Sequence, residues 1–534
     1  MHTWIAVAAG GLLVFGAACV LAGMSWASWV ADVQAKAFSA AMASREVMAS
    51  CYLGLAAASA GLLLRTAVTI ERVLWAAFVV WFLVQVRLAL SDLKRTKPVA
   101  PWTYRILPTS SCNSRLLCTA SAYVLRAELW LLAALTPLLM FPTRVTAACV
   151  ALLGLPWLAR KLKEGRFSKR SPMDGPILLL VIMLPIGLWA SMDMQRSLPK
   201  FYGIVLGLAV FYTIVNRVRD SAGASQVGLL LALSGPLVSL VALLGTKWPA
   251  GLPVPPPQFV ELAKVLTRLA GSQAIGFNPN QVAAALTLFV PFCAGLLLFG
   301  WHAIHPRLRW LLVVGLCVMM ATLLITRSVS ALVAVGIGLL SFSIWNRRLR
   351  WLVVALLCLM PLLVWFWIQH HPAFAGLLAM ALVRSLRPRI EIWQRALYII
   401  RDYPATGAGL NGFALRVNTL YPVLSVLPQQ MLVLTHAHNE LLQVAADFGV
   451  PGLVAHVALY LCFGGVCWGA YQRQRQPSLR ALCIALLCAN VSFHVYGLAD
   501  CITLGAKPGV VLWAMLGLSV ALYGVPPSAS SFVS

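Results

Sequence analysis

Long uninterrupted apolar blocks, separated by short loops crowded with lysine and arginine, leave this chain one kind of fold. Blocks of about 17–25 apolar residues have the length to cross the hydrocarbon core of a bilayer as helices. Inside that core every backbone N–H and C=O must be paired within the protein, so only helices or a closed barrel can cross it. A barrel would read as short segments of alternating polarity, which is not the pattern here. With 61% hydrophobic and only 10% charged residues, and a mean hydropathy of +0.86, the sequence predicts an all-α polytopic membrane protein with about 12–15 transmembrane helices. Residues 4–24 have no basic stretch before them and no small-residue cleavage site after them. They read as a retained first span rather than a signal peptide.

The net charge of +26 would suggest nucleic acid in a soluble protein. In a membrane protein such charge gathers in cytoplasmic loops and fixes orientation, so membrane lipid is the expected partner and nucleic acid is not. Arg160, Lys161, Lys163, Arg166, Lys169 and Arg170 make 160–175 a cytoplasmic loop. From there spans alternate near 176–192, 199–215, 226–244, 281–299, 310–326, 330–345, 351–368, 451–471, 481–498 and 508–524. That alternation returns Arg217, Arg219, Arg307, Arg309, Arg347, Arg348, Arg350, Arg473, Arg475 and Arg480 to the cytoplasmic side. It sends both long polar loops, 245–280 and 369–440, to the outer side. Before residue 160, spans are expected near 4–24, 71–91, 118–141 and 144–159; 51–64 is short for a crossing, and 93–117 belongs in the cytoplasm. The predicted organisation is N-terminal helices (1–159), a central region (160–368), an outer loop (369–440) and C-terminal helices with a tail (441–534). Loop 245–280 opens on a proline-rich turn and continues as an amphipathic helix carrying Phe259, Leu262, Leu266 and Leu269. The 13 cysteines include no CxxC pair and read as small packing residues.

The chemistry-bearing residues concentrate in 369–440. This stretch holds Arg384, Arg387, Arg389, Arg395, Arg401 and Arg416, no lysine, and the carboxylates Glu391, Asp402 and Glu440. The spacing predicts a helix from Arg389 to Ile400, with an apolar stripe of Ile390, Trp393, Leu397 and Ile400. Glu391 and Arg395 stand i,i+4 as an ion pair would, which leaves Arg389 as the phosphate candidate, its planar fork matched to an anionic head group. Gly407-Ala408-Gly409-Leu410-Asn411-Gly412 spells GxGxxG, but a helix and Asp402-Tyr403-Pro404 precede it where a nucleotide fold needs a buried strand. It is read as a turn. His436 and His438 follow, and Asn439-Glu440 opens a helix on which Glu440, Gln443 and Asp447 share a face until Gly449-Val450-Pro451 interrupts it. Two histidines at the mouth of a span suit a general base and a hydrogen-bond donor. As a metal site HxH supplies two ligands with no evident third, so no metal is expected. No DxD occurs anywhere, and the intramembrane carboxylates are few, with Glu128 and Asp500 at or near span ends.

Several landmarks in 160–525 together resemble the O-antigen ligase and O-antigen polymerase superfamily of bacterial envelope glycan transferases. They are Ser171-Pro172-Met173-Asp174, Asp193 with Ser197-Leu198-Pro199-Lys200-Phe201-Tyr202-Gly203, and Asn278-Pro279-Asn280-Gln281-Val282-Ala283. Arg389 with Trp393, then Asp402-Tyr403-Pro404 and Gly407-Ala408-Gly409, continue the series. It closes on His438-Asn439-Glu440-Leu441-Leu442-Gln443 and His494, Gly497 and Asp500. One position departs from the pattern: Thr326-Arg327-Ser328-Val329-Ser330 has valine where the family often carries an arginine. Arg327 compensates only if this segment is not helical; otherwise Arg384, Arg387 or Lys264 supplies the second positive charge. The resemblance implies a GT-C-like helical fold in the bacterial inner membrane with a periplasmic catalytic loop. It implies no cofactor and no metal, an undecaprenyl-pyrophosphate-linked glycan donor, and a lipid A-core or glycan acceptor. His438 and Arg389 are its catalytic candidates; His436, Asn439, Arg327, Arg384, Arg387 and Asn280 are its substrate-binding candidates. Ligase and polymerase are not separable by these motifs. Protein O-oligosaccharyltransferases tend to carry a further C-terminal region, which lowers that alternative, and a non-enzymatic lipid-linked glycan flippase is the alternative from another class.

Overall fold

The computed structural model describes residues 2–66, 69–93, 115–246, 248, 277–370, 372–422 and 434–526. The expected helix of Phe259 to Leu269, Lys264 and most of segment 93–117 lie outside the described residues. Among the described residues the chain is helical, with one isolated β-bridge between Thr246 and Phe277. The N-terminal helices are α1 (His2–Gln34), α2 (Phe38–Met42), α3 (Arg45–Arg65), α4 (Thr69–Leu93), α5 (Arg115–Met140), α6 (Thr146–Leu153) and α7 (Leu155–Glu164). The central ones are α8 (Asp174–Trp189), α9 (Met194–Arg217), α10 (Ser221–Gly245), α11 (Pro279–Gly300), α12 (Pro306–Ile325), α13 (Val329–Leu340) and α14 (Arg347–His370). Then come α15 (Pro372–Asp402), α16 (Phe413–Leu420), α17 (Glu440–Arg473), α18 (Pro477–Gly497) and α19 (Gly509–Gly524).

Ten of the described helices are long and apolar enough to cross a membrane, and Asp174–Trp189, Val329–Ile344 and Gly509–Gly524 are shorter apolar helices. This is a multi-pass helical membrane protein. Two expectations need correction. The predicted span 144–159 breaks in two at Gly154, because Pro156 begins a new helix and cannot donate back to the old one. Conversely, 51–64 belongs to a 21-residue helix long enough to cross, since Arg45 and Glu46 extend it beyond the apolar run.

The bundle core gathers around α11, whose Leu286, Phe289, Phe292 and Cys293 are buried, and around α17, α18 and α19. A second, smaller core stands apart from it. Ile392, Ala396 and Ile399 of α15 pack with Ala408, Phe413, Val417, Leu434, Ala437 and Ala446. The buried face of α15 is therefore rotated from the predicted stripe: Ile390 is exposed, and Ala396 is fully buried. Glu391 and Arg395 share no ion pair among the described residues, so the i,i+4 pairing read from the sequence is not made. The small core includes Leu434 and Ala437, and so fixes the histidine loop between them.

The glycine-rich turn holds this assembly to the bundle. Gly407 and Gly409 take φ of +68° and +89°, left-handed values that cost glycine little. Ala408 N–H donates to Ala446 O at 2.6 Å, Leu410 N–H to Gly187 O at 2.8 Å, and Val450 N–H to Pro404 O at 2.7 Å. The last bond is available because α17 kinks at Gly449 (φ +70°), ahead of Pro451. The GxGxxG string is a mechanical clip between the end of α8 and the kink of α17.

Candidate functional site

The histidine loop is mounted from both ends. On one side Asn418 Nδ2 donates to Leu434 O at 2.8 Å, and its Oδ1 accepts from Leu434 N–H at 3.0 Å. On the other, Asn439 caps α17: its Oδ1 accepts from Leu442 N–H at 3.0 Å. Asn439 Nδ2 donates to Leu498 O at 3.2 Å, tying the cap to the end of α18. Between them Ala437 N–H donates to Gln443 Oε1 at 2.7 Å, and Gln443 Nε2 donates to Asp447 Oδ2 at 3.0 Å. The Glu440, Gln443 and Asp447 face is thus buried inward and holds the loop from beneath.

That mount forces His438 to φ +48°. A non-glycine residue there costs about 1–3 kcal/mol and persists where its surroundings over-determine it. The result brings both imidazoles onto one carboxylate far along the chain, Asp500. His436 Nε2 lies 3.1 Å and His438 Nδ1 3.4 Å from Asp500 Oδ1, and the two rings are 4.0 Å apart between centroids. Asp500 is 8% exposed, while His436 and His438 are 34% and 30% exposed and open the site to solvent. Cys501 N–H donates to Asp500 Oδ1 at 2.9 Å, and Tyr496 Oη–H donates to Asp500 Oδ2 at 3.0 Å. Burial alone would raise the Asp500 carboxyl, but the close approach and charges of His436 and His438 outweigh it and hold it well below the usual carboxylate range.

The two histidines are not equivalent. A carboxylate only accepts, so the nitrogen facing it carries the proton. His436 turns Nε2 to Asp500 and has Thr435 Oγ1 2.8 Å from Nδ1, so both its nitrogens are engaged. His438 turns Nδ1 to Asp500, a contact short of a hydrogen bond, and no hydrogen bond among the described residues engages its Nε2. The arrangement leaves His438 Nε2 as a lone pair directed away from its orienting acid, the disposition of a general base.

The remaining candidates separate into near and far. Asn280 is exposed at the start of α11, and its backbone carbonyl lies 3.3 Å from Tyr496 Oη, beside Asp500. Arg389 is half-buried, makes no hydrogen bond or ion pair among the described residues, and lies close enough for its charge to act on Tyr496. Arg387 is exposed and makes no contact with the centre; of the Arg384 side chain nothing is described. Arg327 stands in a tight turn with φ +54°, so the segment is not helical there, yet the guanidinium is exposed and touches none of these residues. Arg401 pairs with Asp402 at 3.1 Å. Arg416 donates to Ala408 O and Ala190 O and lies 4.1 Å over the Tyr403 ring. Both serve the scaffold.

Sequence reasoning placed Asp500 at a span end but not against the histidines, and it gave Gln443, Asn418 and Tyr496 no role. Only the Asn439–Glu440 helix start hinted at a rigid mount. It also missed that HxH gains further donors: atoms of His436, Asp500 and Cys501 all lie within 4.8 Å of one another.

A bundle of apolar helices thus bears a histidine–aspartate centre at the mouth of its kinked span. The family model described as O-antigen ligase matches residues 312–457. Residues 312–457 place this domain in the O-antigen ligase and polymerase superfamily. The matched stretch includes Arg389, His436 and His438 and ends before Tyr496 and Asp500. No curated protein matches the chain.

Proposed function

We propose that the protein transfers a glycan from undecaprenyl pyrophosphate to an acceptor hydroxyl on the periplasmic face of the bacterial inner membrane, as an O-antigen ligase does. The observation that carries this reading is the unequal pair of histidines on Asp500, with His438 Nε2 unengaged among the described residues and both His436 nitrogens engaged. The acceptor hydroxyl gives its proton to His438 Nε2 as its oxygen attacks the anomeric carbon of the donor. The bond from that carbon to the phosphate oxygen breaks, and undecaprenyl pyrophosphate leaves with the electron pair. Asp500 stabilises the imidazolium formed at His438, and His436 completes the polar wall. Arg389, without a carboxylate partner among the described residues, neutralises charge developing on the pyrophosphate. With so good a leaving group, positioning and charge neutralisation supply most of the catalysis, and no metal is required.

The test is mass analysis of the product formed by purified, reconstituted protein from a defined undecaprenyl-linked donor and candidate acceptors. A glycan joined to lipid A-core supports the ligase reading; chain-extended donor assigns the protein to the polymerases. A donor that only changes leaflet, without a new glycosidic bond, overturns transfer altogether. Activity should survive EDTA; loss restored by zinc would reassign His436, Asp500 and Cys501 as ligands.

Arg389 makes a separate prediction. Lysine keeps the charge but not the bidentate fork, and a hydrogen bond to a charged group contributes about 1.5–3 kcal/mol. Arg389→Lys should therefore lower transfer by about 10- to 100-fold. Initial rates indistinguishable from wild type would reduce Arg389 to a surface charge.

A further inference from the structure

At the end of the bundle remote from the histidines, two cations share a cavity that the proposed chemistry does not touch. Helix α9 measures the separation. Ser197 in its first turn donates to Leu410 O at 2.6 Å, and Arg217 in its last turn donates to Leu125 O at 2.9 Å. At the rise of an α-helix these two residues lie about 30 Å apart along the axis, close to the thickness of a bilayer's hydrocarbon core. At the Arg217 end a cavity of about 280 Å³ opens between α5 and α7, lined by Cys118, Thr119, Ala122, Tyr123, Arg126 and Lys163. The Arg126 guanidinium lies 5.8 Å over the Tyr123 ring. Neither Arg126 nor Lys163 has a carboxylate within ion-pair distance among the described residues. The acids nearby are committed: buried Glu128 takes Arg160 at 3.0 Å and lies 3.8 Å from Arg217, and Glu164 lies 3.7 Å from Arg166. The Arg160–Glu128 pair also joins α7 to α5, so the two walls of the cavity are fixed to each other. Positive charge is in excess here. Burial, then the charges of Arg219, Arg166 and Arg160, hold the Lys169 ammonium down at about 8.

The rim of the cavity decides which anion it suits. Helix α7 has 10 residues, too few to cross a bilayer. It turns Arg160 inward and leaves Leu155, Leu158 and Leu162 exposed, the stripe of a helix whose apolar face meets lipid at the interface. On α5, Leu129 and Trp130, one turn beyond Arg126, are exposed as well. A free anion would satisfy the cations and leave these apolar side chains uncovered; a phospholipid does both, its phosphate on the cations and its chains on the leucines. We propose that the cavity binds the phosphodiester headgroup of an anionic membrane lipid, held by Arg126 and Lys163, with the acyl chains lying along α5 and α7. This holds whether or not the chain transfers glycans.

The probe is phosphatidylglycerol, added to the full-length protein in neutral detergent and read by native mass spectrometry against phosphatidylcholine. Wild type should retain phosphatidylglycerol in preference. Arg126→Gln and Lys163→Gln should each weaken that binding about fivefold, and the double variant about 25-fold, with phosphatidylcholine unchanged. Lys161→Gln is the control: its ammonium is bonded to Gly165 O at 2.9 Å, and its loss should change binding by no more than about twofold. Equal losses in all three single variants would reveal diffuse surface charge and overturn the site, as would a wild type without preference between the two lipids. Should the variants not fold, the wild-type chain decides. Phosphatidylglycerol should slow acylation of Lys163 relative to Lys161, read on the digested peptides, and an unchanged ratio refutes the assignment. Protection by inorganic phosphate equal to that by the lipid would leave an adventitious ion only and refute the lipid.

Discussion

Replacing His438 with alanine should lower the rate of glycan transfer by about 10²–10⁴-fold, the usual contribution of a general base, without unfolding the protein. The side chain is 30% exposed and makes no hydrogen bond that the fold depends on. Alanine also tolerates the left-handed backbone poorly, so the thermal midpoint should fall slightly and must be measured beside the rate. His436→Ala should cost less, because His436 has no free nitrogen to act as base. A His438→Ala protein working at the wild-type rate would refute the base assignment, and a larger loss in His436→Ala would reverse the two roles. Asp500→Asn should approach the His438 defect, since an amide can turn a donor toward imidazoles that need an acceptor. The pH dependence has a definite sign. A carboxyl held below its unfolded value of about 3.9 stabilises the fold above that pH and loses this contribution only as pH falls through the lowered value. Docking of the histidine loop should therefore persist in wild type at pH 4.

The class of fold was legible because hydrocarbon imposes a length and a polarity on every crossing, and both are written in single residues. The break at Gly154 was not, since a composition window does not register that Pro156 ends hydrogen bonding. Within the site, local spacing gave the helix start at Asn439 and the turn at Gly407–Gly412, because caps and left-handed glycines act on their immediate neighbours. It failed where partners are remote. Periodicity suggested Ile390 for the buried face of α15, but the elements opposite it turn Ile392, Ala396 and Ile399 inward. Nor does any local pattern join His436 and His438 to Asp500, since the whole of α17 and α18 separates them. The carboxylate that orients the base was visible only as a residue near a span end.

The largest effect on stability should come from a pair the proposed chemistry does not use. His456 Nε2 lies 3.3 Å from Glu440 Oε1, with side chains 0% and 2% exposed, and Tyr460 packs its ring against both His456 and His494. Removing one member of such a buried pair leaves the other without compensation and costs about 3–5 kcal/mol. His456→Leu alone should therefore lower resistance to thermal or SDS-induced unfolding sharply, as should Glu440→Met alone. The double variant should recover most of the loss, because two apolar side chains owe no desolvation. Recovery of stability separates two roles that single variants confuse. Glu440 begins α17 directly after the Asn439 cap, and a Cβ on Gly497 would meet its Oε2 at 2.5 Å. The acid therefore also sets how closely the histidine loop sits against the end of α18. If the double variant is stable and active, the pair serves folding alone. If it is stable but transfers glycan slowly, with donor binding intact, Glu440 positions His438. Destabilisation in the double variant equal to the sum of the two singles would show that the groups do not interact and remove the basis for either role.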